Sequence, residues 1–107
     1  MEMLTVPEVA TRMGIGVVGV RTLLKEGRLL GVHQDSVLVL PAEQLDGSQP
    51  VKHLFGVLTL LTDAGYSDDE ALAWLTTQDD SLPGTPLQAL QQDRSREVKR
   101  RAQALAF

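Results

Sequence analysis

The sequence predicts a mainly α-helical protein of 107 residues with one short β-hairpin near its N-terminus. Apolar residues recur at helical spacing on both sides of Gly14, and two short apolar runs then flank a polar turn before Pro41. Capping signals for further helices recur through the second half. Helix, tight turn, helix and hairpin, in that order, are the layout of a winged helix-turn-helix, whose second helix commonly lies in the DNA major groove. The predicted fold is therefore a winged helix-turn-helix with a short β-hairpin wing and a packed C-terminal helical extension.

The first helix is predicted to begin directly after Thr5. Glu8 follows three residues later, so T-V-P-E forms a capping box, in which each side chain accepts from the other residue's backbone N–H. Pro7 fits the first turn, where a missing N–H costs no helical hydrogen bond. Gly14 ends the helix because it lies just past the last periodic apolar residue, and Ile15 is expected to be buried in the turn.

The second helix is predicted to run from about residue 17 to residue 26, with Gly27 as its stop. One face is apolar and is expected to be buried; it consists of Val17, Val20, Leu23 and Leu24. The opposite face is expected to be presented to the groove; it consists of Val18, Arg21, Thr22 and Lys25. Arg21 and Lys25 are four residues apart and so lie one turn apart, which lets both reach bases or phosphates. The alternative is an ordinary solvated helix face.

The wing is predicted as two strands, residues 28–32 and 37–40, around a polar turn at residues 33–36. Pro41 cannot extend a strand ladder, so the second strand is expected to end there. The following segment, PAEQL, is expected to form one short helical turn that packs Leu45 onto the core.

Three residues of the wing region are candidate DNA contacts. Arg28, His33 and Gln34 are expected to approach the DNA backbone or the minor groove from the wing. For Arg28 the alternative is an ion pair with Glu26 or Asp35. For His33 the alternative is an exposed turn residue without a ligand.

A short turn-rich linker at residues 46–50 is predicted to join the two halves of the chain. An amphipathic helix follows and ends at Gly65; its apolar residues are Val51, Leu54, Phe55, Leu58 and Leu61. Ser67 and Glu70 form a second capping box, S-D-D-E, whose acids suit the positive end of the helix dipole.

Two further helices are predicted near the C-terminus. Thr85 caps the first of them, with Gln88 completing its capping box, and Ser95 caps the last. The apolar face of the last helix consists of Val98, Ala102 and Leu105. Trp74 and Phe107 are expected to pack in the core.

The motifs VPEVATRMGI, VRTLLKEGRLLGV and VLPAEQL resemble the MerR/excisionase-type winged helix-turn-helix. The chain is more similar still to the Rv2175c-like family, small bacterial DNA-binding proteins that join this module to a distinctive helical C-terminal domain. Its tail resembles that domain almost to the last residue, through the segments LLTDAGYSDDEALAWLTTQDDSL and PLQAL…REVKRRAQALAF. The resemblance covers nearly the whole chain and implies a small regulator or nucleoid-type DNA binder without enzymatic activity.

The start of the second helix departs from the usual helix-turn-helix pattern. Such proteins commonly have Ser, Thr, Asn or Gln there, because the first turn caps itself and touches base edges. This chain instead has GVVG at residues 16–19. Direct base readout is therefore expected to be weak and to depend on Arg21, Thr22 and Lys25. Each glycine also costs the helix up to about 1 kcal/mol relative to alanine.

Two rival functions remain open. Segment 65–75 vaguely resembles the toxin-binding domain of bacterial Xre/ParS-type antitoxins, which implies a protein-interaction module whose C-terminal helices bind a partner. The residues that carry this likeness are Gly65, Ser67, Glu70, Ala71, Leu72, Trp74 and Leu75. The second rival is a degenerate helix-turn-helix kept as a dimerisation scaffold. An exposed apolar patch around Trp74 or Leu105 favours the first rival, and a negative potential over the second helix favours the second.

Composition and charge limit the classes of function that the chain can have. The net charge is −4, whereas duplex DNA attracts basic surfaces, so we expect a modest, salt-sensitive affinity that depends on a local cluster of cations. The chain has no cysteine, which excludes disulfides and Cys-based metal sites. Catalytic motifs and metal-ligand spacings are missing from the sequence. We therefore expect no catalytic residue, no metal and no cofactor.

The chain is expected to form one compact unit. Residues 1–46 are predicted to be the winged helix-turn-helix region, and residues 47–107 a helical region that shares its core. The sequence has no apolar run of membrane-spanning length and no signal pattern, so we expect a cytoplasmic protein. The expected partner is duplex DNA, with a homodimer or a protein partner at the C-terminal helices as further possibilities.

Overall fold

The computed structural model describes residues 1–106, so the expectation for Phe107 lies outside the described residues. The helices in this range are α1 (Val6–Met13), α2 (Val17–Lys25), α3 (Leu54–Asp63), α4 (Asp68–Thr76), α5 (Pro86–Gln91) and α6 (Ser95–Ala104). The strands are β1 (Met3–Thr5), β2 (Val32–Gln34), β3 (Val37–Pro41), β4 (Leu45–Asp46) and β5 (Gln49–Pro50). The order confirms a mainly α fold that begins with a winged helix-turn-helix and continues into packed helices.

The wing hairpin is formed by β2 and β3, which pair antiparallel. Asp35 and Ser36 close it, with φ angles of 51° and 67°. Positive φ at both central residues is the geometry of the two-residue turn whose twist matches the flanking strands. The tight turn makes the predicted strand limits wrong, because His33 pairs with Leu38 and Gln34 with Val37. Residues 28–31 precede the hairpin, and the second strand ends at Pro41 as predicted.

Strand β1 was not predicted from the sequence. It pairs antiparallel with β3, which is thereby the central strand of a three-stranded sheet of order β1-β3-β2. Leu4 lies opposite Leu40, and both side chains are buried. The N-terminal segment therefore closes one edge of the wing sheet before α1 begins.

Helix α1 has the predicted capping box. Thr5 accepts a hydrogen bond from the backbone N–H of Glu8, whose carboxylate accepts from the Thr5 N–H at 2.8 Å. That N–H donation lowers the pKa of Glu8 below its usual range. Gly14 ends the helix in the left-handed conformation, with φ 69°, as predicted. A local signal of three residues is thus sufficient to set where the first helix begins.

The connection between the two halves is an ordered structure rather than the predicted linker. Residues 42–44 form a 3₁₀ turn, and Leu45 after it is buried as predicted. Strands β4 and β5 then form a second small hairpin, Leu45 opposite Pro50. Backbone pairing across this hairpin satisfies groups that a linker exposes to water, which explains why the segment is ordered.

Helix α3 begins at Leu54, three residues later than predicted. His53 precedes it with φ 69°, a conformation that ends the preceding turn before the helix starts. Leu54, Leu58 and Leu61 are buried as predicted, but Phe55 is 43% exposed. Phe55 belongs to the predicted apolar face but does not enter the core; its ring instead contacts the Arg28 guanidinium.

The C-terminal helices agree with the predicted caps, with one exception. Ser67 with Glu70 and Thr85 with Gln88 form complete capping boxes. Helix α6 starts with Ser95 as its first helical residue, preceded by Arg94 without a side-chain cap bond, so the predicted Ser95 cap is wrong. Trp74 was expected in the core and instead packs against it from the rim, half-buried.

One hydrophobic cluster joins both halves of the chain. Its buried members range from Leu4 in β1 and Val9 in α1 to Val98 and Ala102 in α6. Helix α3 packs on α6, while α1 packs on α2 and on β3. The core therefore holds the helix-turn-helix and the C-terminal helices in a fixed relation.

Candidate nucleic-acid interface

The outward face of α2 carries the four side chains that the sequence predicted there. Val18, Arg21, Thr22 and Lys25 are all exposed, and the Val18 side chain is exposed to 78% although it is apolar. Their spacing of three, one and three residues places them on one side of the helix. The Thr22 hydroxyl donates to the Val18 carbonyl at 3.0 Å, so its oxygen keeps free lone pairs facing outward from the backbone.

The first turn of α2 presents an apolar tip. Ile15 and Val17 are each 39% exposed, so the expectation that both are buried is wrong. Ile15 lies against Gly19, so closely that a Cβ atom placed on this glycine would be 3.2 Å from the Ile15 Cδ1. Because Gly19 has no side chain, Ile15 rests on α2 instead of entering the core. Gly16 precedes the helix without a side-chain cap bond.

His33 and Gln34 do not lie on the same face of the wing. His33 and Gln34 are both exposed in β2, and successive strand residues point to opposite faces. His33 lines a groove with Tyr66 and Asp68, so it faces the C-terminal helices. Gln34, next to the turn, lies on the other face. The structure therefore does not bring these two side chains together.

Arg28 lies at the end of the helix-turn-helix rather than in the wing. Its Nε is 3.4 Å from a carboxylate oxygen of Glu26, which is one of the ion pairs the sequence left open. Its guanidinium carbon lies 4.4 Å from the ring centroid of Phe55 in α3. A cation at this distance over an aromatic face is attracted by the ring quadrupole. The cation therefore has contacts in both halves of the chain.

The acids of the first 45 residues are mostly engaged with local partners. Glu2 pairs with Arg12 at 3.4 Å, Glu26 pairs with Arg28, and Glu8 is held in the α1 capping box. Among residues 1–106, no carboxylate lies within 4.0 Å of Arg21 or Lys25. The outward face of α2 thus carries two cations without neutralising partners, although the chain as a whole is acidic.

Two family models match this chain, and together they cover both halves. Residues 1–45 match the model described as the wHTH domain of DNA-binding protein Rv2175c, and residues 51–106 match the Rv2175c C-terminal domain of unknown function. This chain belongs to the Rv2175c family. The DNA-binding protein Rv2175c of Mycobacterium tuberculosis is 40% identical over 114 residues, which span 94% of this chain and 78% of that protein.

A solved member of the Rv2175c family has the same fold. The NMR structure of Rv2175c superposes with a TM-score of 0.91 at 37% identity, covering 99% of this chain and 82% of that one. The agreement extends over the wing, the helix-turn-helix and the C-terminal helices. The Rv2175c family fold therefore includes the second half of the chain as a regular part.

A group of cations next to α2 was not predicted from the sequence. Lys52 and His53 precede α3, and Lys99 of α6 reaches His53, with 3.2 Å between the Lys99 Nζ and the His53 Nδ1. Together with Arg28 and Phe55 they surround the start of α3. In the sequence, the only sign of this group is the pair Lys52-His53 ahead of an apolar helix. Arg28 and Lys99 are too distant along the chain to be associated with that pair.

Residues 1–106 contain neither a metal-binding cluster nor a membrane-spanning helix. No group of three or more histidine, cysteine, aspartate or glutamate side chains is placed to hold a metal ion there. In the same range, each helix is too short or too polar to cross a bilayer.

Proposed function

We propose that this member of the Rv2175c family binds duplex DNA, with the outward face of α2 in the major groove. The observation that carries the proposal is the exposed set Val18, Arg21, Thr22 and Lys25 on the second helix of a winged helix-turn-helix. The name of the 40% identical relative, a DNA-binding protein, supports it.

Each side chain of the α2 face has a distinct proposed contact. Arg21 and Lys25 bind guanine edges or phosphates, and the exposed Val18 methyls contact thymine methyls. The free lone pairs of the Thr22 hydroxyl accept from the amino groups of adenine or cytosine. With GVVG at its start, the helix offers few polar base contacts, so we expect backbone and shape recognition to contribute much of the affinity.

The flanking residues supply contacts outside the groove. Arg28, His33 and Gln34 are all exposed, and we propose that they contact the DNA backbone or the minor groove. The module acts as a MerR-like reader without a catalytic step, metal or cofactor. Residues 1–46 form the DNA-binding region, and residues 47–107 support it.

We infer that DNA binding serves transcriptional regulation in the bacterial cytoplasm. One such module covers a short stretch of duplex, so a homodimer that binds two half-sites is the expected assembly. The second candidate function is a protein-interaction module at the C-terminal helices. The observation that favours it is an open groove beside α4, where the aromatic side chains of Tyr66 and Trp74 lie next to Glu70 and Asp79, a combination that suits a basic peptide segment.

Removing both cations of α2 tests the proposed function. We expect the Arg21→Ala/Lys25→Ala variant to bind labelled duplex DNA at least about tenfold more weakly than the unmodified chain, because each contact contributes on the order of 1 kcal/mol or more. Fluorescence anisotropy over a salt series measures this. The matched control is Arg96→Ala/Arg100→Ala, which removes the same charge from exposed positions on α6.

Two results contradict the proposal. Equal affinity of the α2 variant and the control variant excludes α2 as the interface. Absence of binding by the unmodified chain, even at low salt, leaves the helix-turn-helix as a scaffold and favours the protein-interaction function. Circular dichroism of each variant confirms that the helices are intact.

A further inference from the structure

An exposed aromatic ring links the two halves of the molecule beside α2. Phe55, in the first turn of α3, is 43% exposed. Arg28 lies 4.4 Å above its ring and also pairs with Glu26. The ring thus fixes the position of a cation that comes from the helix-turn-helix. An arginine that is already ordered loses less side-chain entropy when it binds an anion.

Lys99 brings a second cation to the same place from α6. An added Cβ on Gly56 comes within 3.3 Å of the Lys99 Cε, so the lysine stem lies directly over this glycine. The Lys99 ammonium ends 3.2 Å from the His53 Nδ1. Because an ammonium only donates hydrogen bonds, Lys99 is the donor in this contact.

The charges around this point are mainly positive. We call Arg28, Lys52, His53, Phe55 and Lys99 the α3 patch. Two acids line the adjoining grooves: Glu26, which pairs with Arg28, and Asp63 at the far end of α3. Asp63 is eight residues beyond Phe55, or about 12 Å along the helix axis. The patch therefore carries three permanent cations against one paired acid.

The α3 patch is continuous with the proposed DNA-binding face. Lys25 at the end of α2 and Phe55 line the same groove, and Phe55 and Lys52 line the next one. A duplex that contacts Lys25 therefore passes close to the patch. Its members come from two helices, α3 and α6, and from the segments that follow α2 and precede α3. They share no hydrogen-bonding pattern that reads a base, whereas cations suit phosphate oxygens.

We infer that the α3 patch is a second DNA contact, through which the C-terminal half binds the phosphate backbone without sequence preference. This inference rests on the proposed function and deepens it. Duplex DNA is the favoured ligand because the patch extends a surface that already carries Arg21 and Lys25. It also explains how an acidic chain supplies enough local positive charge, since the field near the ligand matters more than the net charge.

The salt dependence of binding tests the inference. We expect Lys52→Ala/Lys99→Ala to reduce the slope of log affinity against log salt by about 1.8, since each phosphate contact contributes about 0.9. If the variant and the unmodified chain bind equally at 1 M salt, this slope change lowers the affinity at about 0.1 M salt by roughly 8-fold for each lost contact. The loss should be equal on an A·T-rich and a G·C-rich duplex, because the contact does not read bases.

The control is Arg96→Ala/Arg100→Ala, which removes two cations from the same half. Both side chains are exposed and lie one turn apart, on the side of α6 opposite the buried Val98. This variant should keep the slope of the unmodified chain. A second pair of variants tests the ring: Phe55→Leu should weaken binding, and Phe55→Tyr should keep it because a phenol ring still attracts the guanidinium.

The outcomes separate this inference from the function on which it rests. If the unmodified chain binds with a steep slope and Lys52→Ala/Lys99→Ala leaves that slope unchanged, the α3 patch is not a DNA contact and the proposed function stands. If the control reduces the slope as much as the patch variant does, the effect is one of net charge and the inference is overturned. If the unmodified chain does not bind duplex DNA, both the proposed function and the inference about the α3 patch are overturned.

Discussion

Replacing Gln44 with leucine should lower the free energy of unfolding by about 2–4 kcal/mol. Gln44 is the one buried polar side chain in residues 1–106, with 1% of its surface exposed. It accepts from the Leu30 N–H at 2.8 Å and donates to the Leu30 carbonyl at 2.7 Å. Leucine fills the space but leaves both backbone groups buried without partners, and each unsatisfied group costs about 1–3 kcal/mol.

Gln44 also matters for the position of the wing. Leu30 lies two residues before β2, so the two hydrogen bonds fix the segment that leads into the hairpin. Urea unfolding measures the stability loss, and Gln91→Ala is the matched control because Gln91 donates to the Glu43 carbonyl at an exposed position. We expect the control to change stability by less than about 1 kcal/mol. Equal losses in the two variants contradict the role assigned to Gln44.

Replacing Leu54 with alanine should destabilise both halves of the chain together, by about 2–5 kcal/mol. Leu54 is 1% exposed at the start of α3 and belongs to the cluster that joins the two halves. Its removal leaves a cavity next to residues of the helix-turn-helix, among them Leu23, with which it lines a groove. Because the core is shared, the helix-turn-helix cannot keep its stability while α3 loosens.

Hydrogen exchange resolved by residue measures this effect. In the Leu54→Ala variant, the opening free energy of amides in α1 and that of amides in α6 should fall by the same amount, because the two helices unfold as one cooperative unit. The control is Val37→Ala at a half-exposed wing position, where we expect a change within about 0.5 kcal/mol. Loss of protection in α3 to α6 alone would mean that residues 1–46 and 47–107 fold independently.

The features that the sequence predicted well are local. The three capping boxes, at Thr5, Ser67 and Thr85, each depend on two residues three positions apart, and all three are present. The α2 face follows from helical period alone, because a helix that buries Val20 must expose Val18 and Arg21. The starts of α1, α4 and α5 and the outward face of α2 could therefore be read without knowledge of the packing, whereas the starts of α3 and α6 could not.

The features that the sequence missed depend on contacts between distant residues. Strand β1 is three residues long, too short for a period-two pattern, and it forms only because β3 lies beside it. Phe55 has the spacing of a core residue, yet its half-exposed ring packs against the Arg28 guanidinium instead of entering the core. Gln44 is polar and is buried because Leu30 supplies both partners. In each case the deciding partner is more than ten residues away.

Only the α2 part of the candidate site was predictable from the sequence. Arg21, Thr22 and Lys25 lie on one helix and were found from their spacing. The α3 patch is assembled from α3, α6 and the segments that follow α2 and precede α3, so no window of sequence contains it. A surface built in this way is found only when the packing of α3 on α6 and the end of α2 is known.

The most direct test of the central claim, that the outward face of α2 binds duplex DNA, is an NMR titration of the ¹⁵N-labelled chain with a short duplex. Amide shifts should change most in residues 17–25 and 32–38, followed by residues 52–56 and Lys99, and the changes should shrink as salt is raised. Shift changes confined to residues 66–86 around Trp74, or no changes at low salt, would contradict the account.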